Sequence, residues 1–251
     1  MSKTPLIIDD TNLSSAWHRI LKLLIENSGE VSPLVLTLTD FHETKEIRNL
    51  LDKHLASNKM PTIPTVSETI FPEGLYEYVG YDRNKLYNRY NKNLIRIKKI
   101  SASNRKGTYF SRLIAYGEIP NPVNQLEIII SSLQGKRTAR RSKLQASIFD
   151  PTTDHSNSAM QGFPCLQHVT FFKTKGGGLI LNSFYAIQFF YKRSYGNWLG
   201  LINLGKFVAK EAGLEFERFN CFIGVEHLDH LKQSDAKKML AEMDKITSVE
   251  L

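Results

Sequence analysis

Cys165 stands in the run Gly162-Phe163-Pro164-Cys165-Leu166-Gln167-His168, which sets a soft nucleophile beside a rigid proline and two polar side chains. Pro164 restricts the backbone at the expected start of a strand. The thiolate is the reactive form of cysteine, and neighbouring guanidinium groups stabilise it. Arg140 and Arg141 lie on the segment leading into the same group of strands. A thiol pKa below the ordinary value of about 8.5 is therefore expected, with thiolate available at neutral pH. The competing reading is an inert core cysteine, because free cysteine is among the most buried residue types.

Charge is placed unevenly. The chain of 251 residues carries a formal net charge of +8, yet Arg83 to Arg112 alone holds ten Lys/Arg and no acid. Lys136 to Lys143 adds five more, so the remainder of the chain is net acidic. Two basic segments on an acidic background suit a phosphate-bearing ligand or nucleic acid. Solvated faces are the competing explanation. Two cysteines, Cys165 and Cys221, make neither a disulfide framework nor a four-ligand zinc site, and no metal is expected. No apolar run reaches the roughly 18 residues of a membrane span. Met1-Ser2-Lys3-Thr4-Pro5 lacks the layout of a signal peptide, so a cytoplasmic location is expected.

The elements that must position these groups follow from periodicity. Leu13, Trp17, Ile20, Leu21 and Leu24 predict a helix over 11–27, and Leu34, Leu36 and Leu38 a strand. Ile47, Leu50, Leu51 and Leu55 predict a second helix, while the proline-bearing stretch 57–75 reads as irregular. A basic helix is expected over 82–100, and Asn121-Pro122 reads as the start of the next. Strands are expected near 144–149, 165–173 and 179–190, the last two joined by Gly176-Gly177-Gly178 as a hairpin. A helix over 198–212, a strand over 219–224 and a helix over 233–246 complete the chain. Helices, then strands, then helices predict a single α+β domain over residues 1–251, with one large mixed sheet flanked by helices.

From Arg140 to Asp229 the sequence resembles thymidylate synthases and the related pyrimidine nucleotide hydroxymethylases. The matching pieces keep one order: Asn124-Gln125-Leu126, Arg140-Arg141, Pro164-Cys165, Asn197 with Gly200-Leu201, Ala212-Gly213-Leu214, and Gly224-Val225-Glu226-His227-Leu228-Asp229. Ala16-Trp17-His18-Arg19-Ile20-Leu21 and Tyr116-Gly117 are weaker matches, so the resemblance covers the last half of the chain best. It implies a thymidylate-synthase-like fold and a homodimer. It also implies that Cys165 adds to ring carbon six of a dUMP-like pyrimidine nucleotide, with 5,10-methylenetetrahydrofolate as one-carbon donor. Arg140 and Arg141 would cross the dimer interface to clamp the partner's phosphate, a bidentate task suited to arginine. Asn197 would read the pyrimidine edge, since a carboxamide both donates and accepts, which favours uracil. Serving as a helix cap is its competing role. His227 would touch the sugar hydroxyl, its competing role being structural.

Departures from the family pattern are as informative. The family's phosphate-binding arginine and serine, eleven and ten positions before Asn197, fall on Ala186 and Ile187. Arg193-Ser194 has those residue types four and three positions before it, and Gln188 offers a substitute polar contact. Asp229 replaces the family's tyrosine and could accept from sugar hydroxyls. The active-site glutamate falls among Glu68, Glu73 and Glu77, and the tail Ile246-Thr247-Ser248-Val249-Glu250-Leu251 lacks the family's small apolar ending. Asn104-Arg105-Lys106-Gly107-Thr108 echoes an Arg-x-Gly-Thr phosphate loop but falls too late in the chain, and reads as a basic turn.

The leading expectation is a transferase that methylates or hydroxymethylates carbon five of a pyrimidine nucleotide. The second is a homologue that binds the nucleotide without turnover. A nucleic-acid binder using the basic helix ranks last.

Overall fold

The computed structural model describes residues 5–117, 120–158 and 164–248. Gly162 and Phe163 of the cysteine run, and the tail from residue 249, lie outside the described residues. Strand β1 (Leu6–Asn12), which periodicity did not suggest, runs directly into α1 (Leu13–Glu26). The helix starts later than expected because the Asn12 side chain accepts from the amides of Ser14 and Ser15. A short β2 (Glu30–Val31), β3 (Leu34–His42) and α2 (Lys45–Ser57) follow.

The stretch expected to be irregular contains α3 (Ile63–Ser67) and α4 (Glu73–Tyr78). Pro64 sits in the first turn of α3, where its missing N–H leaves no bond unmade. The basic helix is α5 (Arg83–Ile100), capped by Asp82, and α6 (Tyr109–Ile114) comes next. Helix α7 (Gln125–Gln134) begins after Asn124, not at Asn121-Pro122. Asn124 caps it through the Glu127 amide, while Val123 is drawn into a bridge with Tyr116. Then come β4 (Gln145–Ser147), α8 (Pro151–Asp154), β5 (Leu166–Lys173), β6 (Gly178–Phe189), α9 (Tyr195–Ala212), β7 (Glu215–His227) and α10 (Gln233–Thr247).

Among the described residues, seven strands make one mixed sheet in the order β1-β3-β7-β6-β5-β4, with β2 paired to the end of β7. β1–β3 and β6–β7 are parallel, and the other pairs are antiparallel. This is the mixed sheet with helices expected of an α+β protein. The β5–β6 hairpin turns through the expected glycines, with Gly177 at φ +91°.

The two faces of the sheet differ. Leu36, Cys221 and Tyr185 belong to the face buried beneath α1 and α9. On the other face a polar ladder crosses four strands. Thr37 donates to Asn220 at 3.1 Å, Asn220 to Asn182 at 2.8 Å, and Asn182 to Thr170 at 3.2 Å. Beside it the rings of Phe184 and Phe222 stack 5.4 Å apart, both about 40% exposed.

Helix α9 is held close to α3 by its glycines. A Cβ on Gly196 would lie 2.6 Å from the Val66 side chain, and one on Gly200 would lie 2.8 Å from the Ser67 carbonyl. This approach holds α3, and the Thr69 segment just after it, close to the start of α9.

Candidate active site

Cys165 immediately precedes β5, and three contacts hold its backbone there. The Gln167 amide donates to the carbonyls of Pro164 and Cys165 at 2.5 and 3.3 Å. The Ala186 N–H on β6 donates to the Cys165 carbonyl at 3.2 Å. The phenol of Tyr109, at the start of α6, meets the backbone of Cys165 and Leu166. The cysteine is thus fixed at a sheet end where three segments converge.

Those segments enclose a cavity of about 530 Å³, the size of a small-molecule site. Its wall includes Cys165, Gln188, Arg193 and Asn197, together with the whole of Asn104 to Tyr109. Three of the residues expected from the sequence to act together, Cys165, Gln188 and Asn197, therefore share one cavity. The loop read as a basic turn shares it too.

Between β6 and α9 the chain makes one turn of π-helix, Phe190–Ser194. Such wide turns re-aim side chains and recur at functional sites. Here Lys192 and Arg193 reach the cavity, whereas Tyr191 faces away and meets His54 Nδ1 at 2.8 Å. Ser194 is fully buried and donates to Glu226 at 2.7 Å. The Arg193-Ser194 pair is therefore split, with only the arginine available to a ligand.

Five cations, Arg105, Lys106, Arg112, Lys192 and Arg193, line the cavity, and no Asp or Glu is among the residues of its wall. Arg112 is bound to Asp154 and donates to the Lys106 carbonyl, so it braces the loop. Lys192 pairs with Asp229 at 3.2 Å. Arg105, Lys106 and Arg193 have no ion pair among the described residues, leaving an electropositive wall open to an anion.

The thiol departs from expectation. Burial raises the Cys165 pKa above its ordinary value, and Arg193, then Lys192, oppose that rise. Arg140 and Arg141 are not among the lining residues, and the Arg141 guanidinium lies over the Phe172 ring at 4.6 Å. The cations acting on the thiol follow it in sequence and come from the π-turn.

His227 and Asp229 also stand outside the wall. His227 Nδ1 accepts from the Asp229 amide at 3.0 Å, and Asp229 reaches the site only through Lys192. Glu68, Glu73 and Glu77 do not line the cavity. Glu68 accepts from the Gly74 amide and Glu73 from Asn203 at 2.7 Å, and burial raises the pKa of both. The cations of α5 are likewise absent from the wall, and Arg83 bridges Glu127 and Glu211. Among the described residues, no helix is long and apolar enough to cross a membrane.

No family model matches the chain. A protein of Methanocaldococcus jannaschii named "Putative thymidylate synthase" is 28% identical over 217 residues, spanning 84% of this chain and 85% of that protein. The similarity extends well beyond the ordered pieces quoted above, into the N-terminal half. This chain thus stands in a distant, thymidylate-synthase-like relationship to that protein.

Proposed function

We propose that the protein is a pyrimidine nucleotide carbon-5 transferase that methylates or hydroxymethylates a dUMP-like substrate through a Cys165 adduct. The observation that carries this reading is the single cavity shared by Cys165, the carboxamides of Gln188 and Asn197, and an electropositive wall. Addition of the thiolate forms a carbon–sulfur bond at ring carbon six and breaks the C5=C6 π bond. The electron pair moves onto carbon five and the conjugated carbonyl, which makes carbon five nucleophilic. Arg193 and Lys192 stabilise the sulfur anion before it adds. Asn197, 5% exposed in the first turn of α9, addresses the base edge. Arg105, Lys106 and Arg193 hold the phosphate, the task that Ala186 and Ile187 cannot perform.

Methylenetetrahydrofolate would supply the one-carbon unit when bound. On charge the wall fits an anionic donor, because it is lined by cations and by no Asp or Glu. Arg140 and Arg141, exposed near the β4 edge, are proposed to act on the partner's nucleotide within a homodimer. The open sheet face with Phe184 and Phe222 would be the surface that joins the two copies.

Tritium release from carbon five of labelled dUMP, with methylenetetrahydrofolate, tests the reading. Release that disappears in Cys165→Ser is the expected result. No release from dUMP, UMP, dCMP or CMP would sink it. A second reading, nucleotide binding without turnover, is favoured by the raised thiol pKa and by a wall without a carboxylate. It predicts dUMP binding that Cys165→Ala leaves intact, with no tritium release.

A further inference from the structure

Gln188 is 1% exposed and lines the cavity near the end of β6. Its Oε1 accepts from the Trp198 indole N–H at 3.1 Å. An indole nitrogen can only donate, so this bond settles which end of the amide is oxygen. Nε2 is enclosed and has no hydrogen-bond partner among the described residues. A buried N–H donor left unpaired is destabilising, so it is a group waiting for an acceptor. Trp198 follows Asn197 directly in α9, so the locked amide and Asn197 approach the cavity from neighbouring positions.

We infer that Gln188, held by Trp198, is a specificity-determining residue that offers only N–H donors and so selects a pyrimidine with a 4-keto oxygen over a 4-amino one. This rests on the nucleotide reading above. Thiolate addition at carbon six sends charge through carbon five to the 4-carbonyl, so a donor there binds the base and stabilises the adduct. A 4-amino group would oppose donor to donor and leave both unpaired, the strongest form of discrimination a buried polar site can exert.

Dissociation constants for dUMP and dCMP, and for UMP and CMP, measured by calorimetry on four proteins, test this. The wild type should favour the uracil member of each pair by at least about tenfold. Gln188→Glu keeps an acceptor for Trp198 but turns the free end into an acceptor, and should shift that ratio at least about tenfold towards cytosine. Gln188→Met removes the donor without adding charge and should lower the ratio by more than about threefold, leaving only the share that Asn197 supplies. Trp198→Phe releases the amide to flip and should narrow the ratio. Circular dichroism identifies any variant that fails to fold, and Gln188→Met then decides alone. A ratio within twofold of wild type in folded Gln188→Met overturns the assignment of Gln188 while leaving the nucleotide reading intact. Wild-type protein that binds none of the four nucleotides overturns the nucleotide reading, and this inference with it.

Discussion

The ammonium of Lys192 lies 3.2 Å from a carboxylate oxygen of Asp229, a side chain only 4% exposed. The pair ties the π-turn to the residues just after β7, and His230 approaches the same oxygen at 3.5 Å. Asp229 has a left-handed backbone, φ +71°, which asparagine also tolerates. Asp229→Asn therefore isolates the loss of charge. Removing one partner of a buried pair is expected to cost on the order of 3 kcal/mol, read from urea unfolding. Nucleotide affinity should fall severalfold as Lys192 loses its position.

The thiol gives a direct pH readout. Because burial holds the Cys165 pKa above its ordinary value, the rate of alkylation by iodoacetamide should climb through alkaline pH without a plateau near neutrality. Arg193 is the largest opposing influence, so Arg193→Ala should move the profile to still higher pH and Arg193→Lys by less. Cys221, fully buried, serves as the unreactive internal control. A profile for Arg193→Ala that overlays wild type would remove Arg193 from the site.

Gly107 tests the loop Asn104–Thr108, which reads in sequence as a basic turn and lines the cavity. Its φ is +97°, and a Cβ there would lie 2.7 Å from Ser111 Oγ. That hydroxyl receives the Thr108 amide in the capping box that starts α6. Gly107→Ala should therefore cost about 1–2 kcal/mol through backbone strain and a weakened cap. It should also weaken dUMP binding, because Arg105 and Lys106 move with the turn. Stability loss with unchanged affinity would show that the loop does not hold the ligand.

The open sheet face makes a prediction about assembly. Phe184 and Phe222 stack in the exposed row beside the Asn182–Asn220 ladder. Phe222→Asp places charge in that row and should convert a dimer to monomer in sedimentation, with the monomer remaining folded. Wild type that sediments as a monomer at tens of micromolar would argue against the shared-arginine arrangement.

Much of this was legible in the chain because apolar spacing is local. Leu13, Trp17, Ile20, Leu21 and Leu24 announced α1, and the glycines at 176–178 announced the β5–β6 turn. Cys165, Gln188 and Asn197 were found as candidates, and the fold does gather them. What periodicity could not reach was the π-turn, whose extra residue re-aims Lys192 and Arg193 without altering composition. Nor could spacing place Asn104–Thr108, which lies about 60 residues before Cys165 and meets it only through the packing of α6. The thiol's pKa departs from the sequence expectation for a related reason. Basic residues were visible in the sequence, but the burial that outweighs them was not.

Glu226 behaves in the opposite sense to an ordinary surface carboxylate. It is fully buried on β7, accepts from Ser194 at 2.7 Å, and its other oxygen has no partner among the described residues. Burial raises its pKa well above the ordinary carboxyl value. A carboxyl whose folded pKa exceeds its unfolded one keeps its proton longer when folded. Its contribution is therefore complete below about pH 4.5 and is lost as pH rises towards the folded value. Glu226→Gln removes the charge question while keeping an acceptor for Ser194. The variant should match wild type near pH 4.5 and exceed it at pH 8 by on the order of 1–3 kcal/mol in urea unfolding. Parallel stability profiles for the two proteins between pH 4.5 and 8 would mean that Glu226 is not the group that titrates.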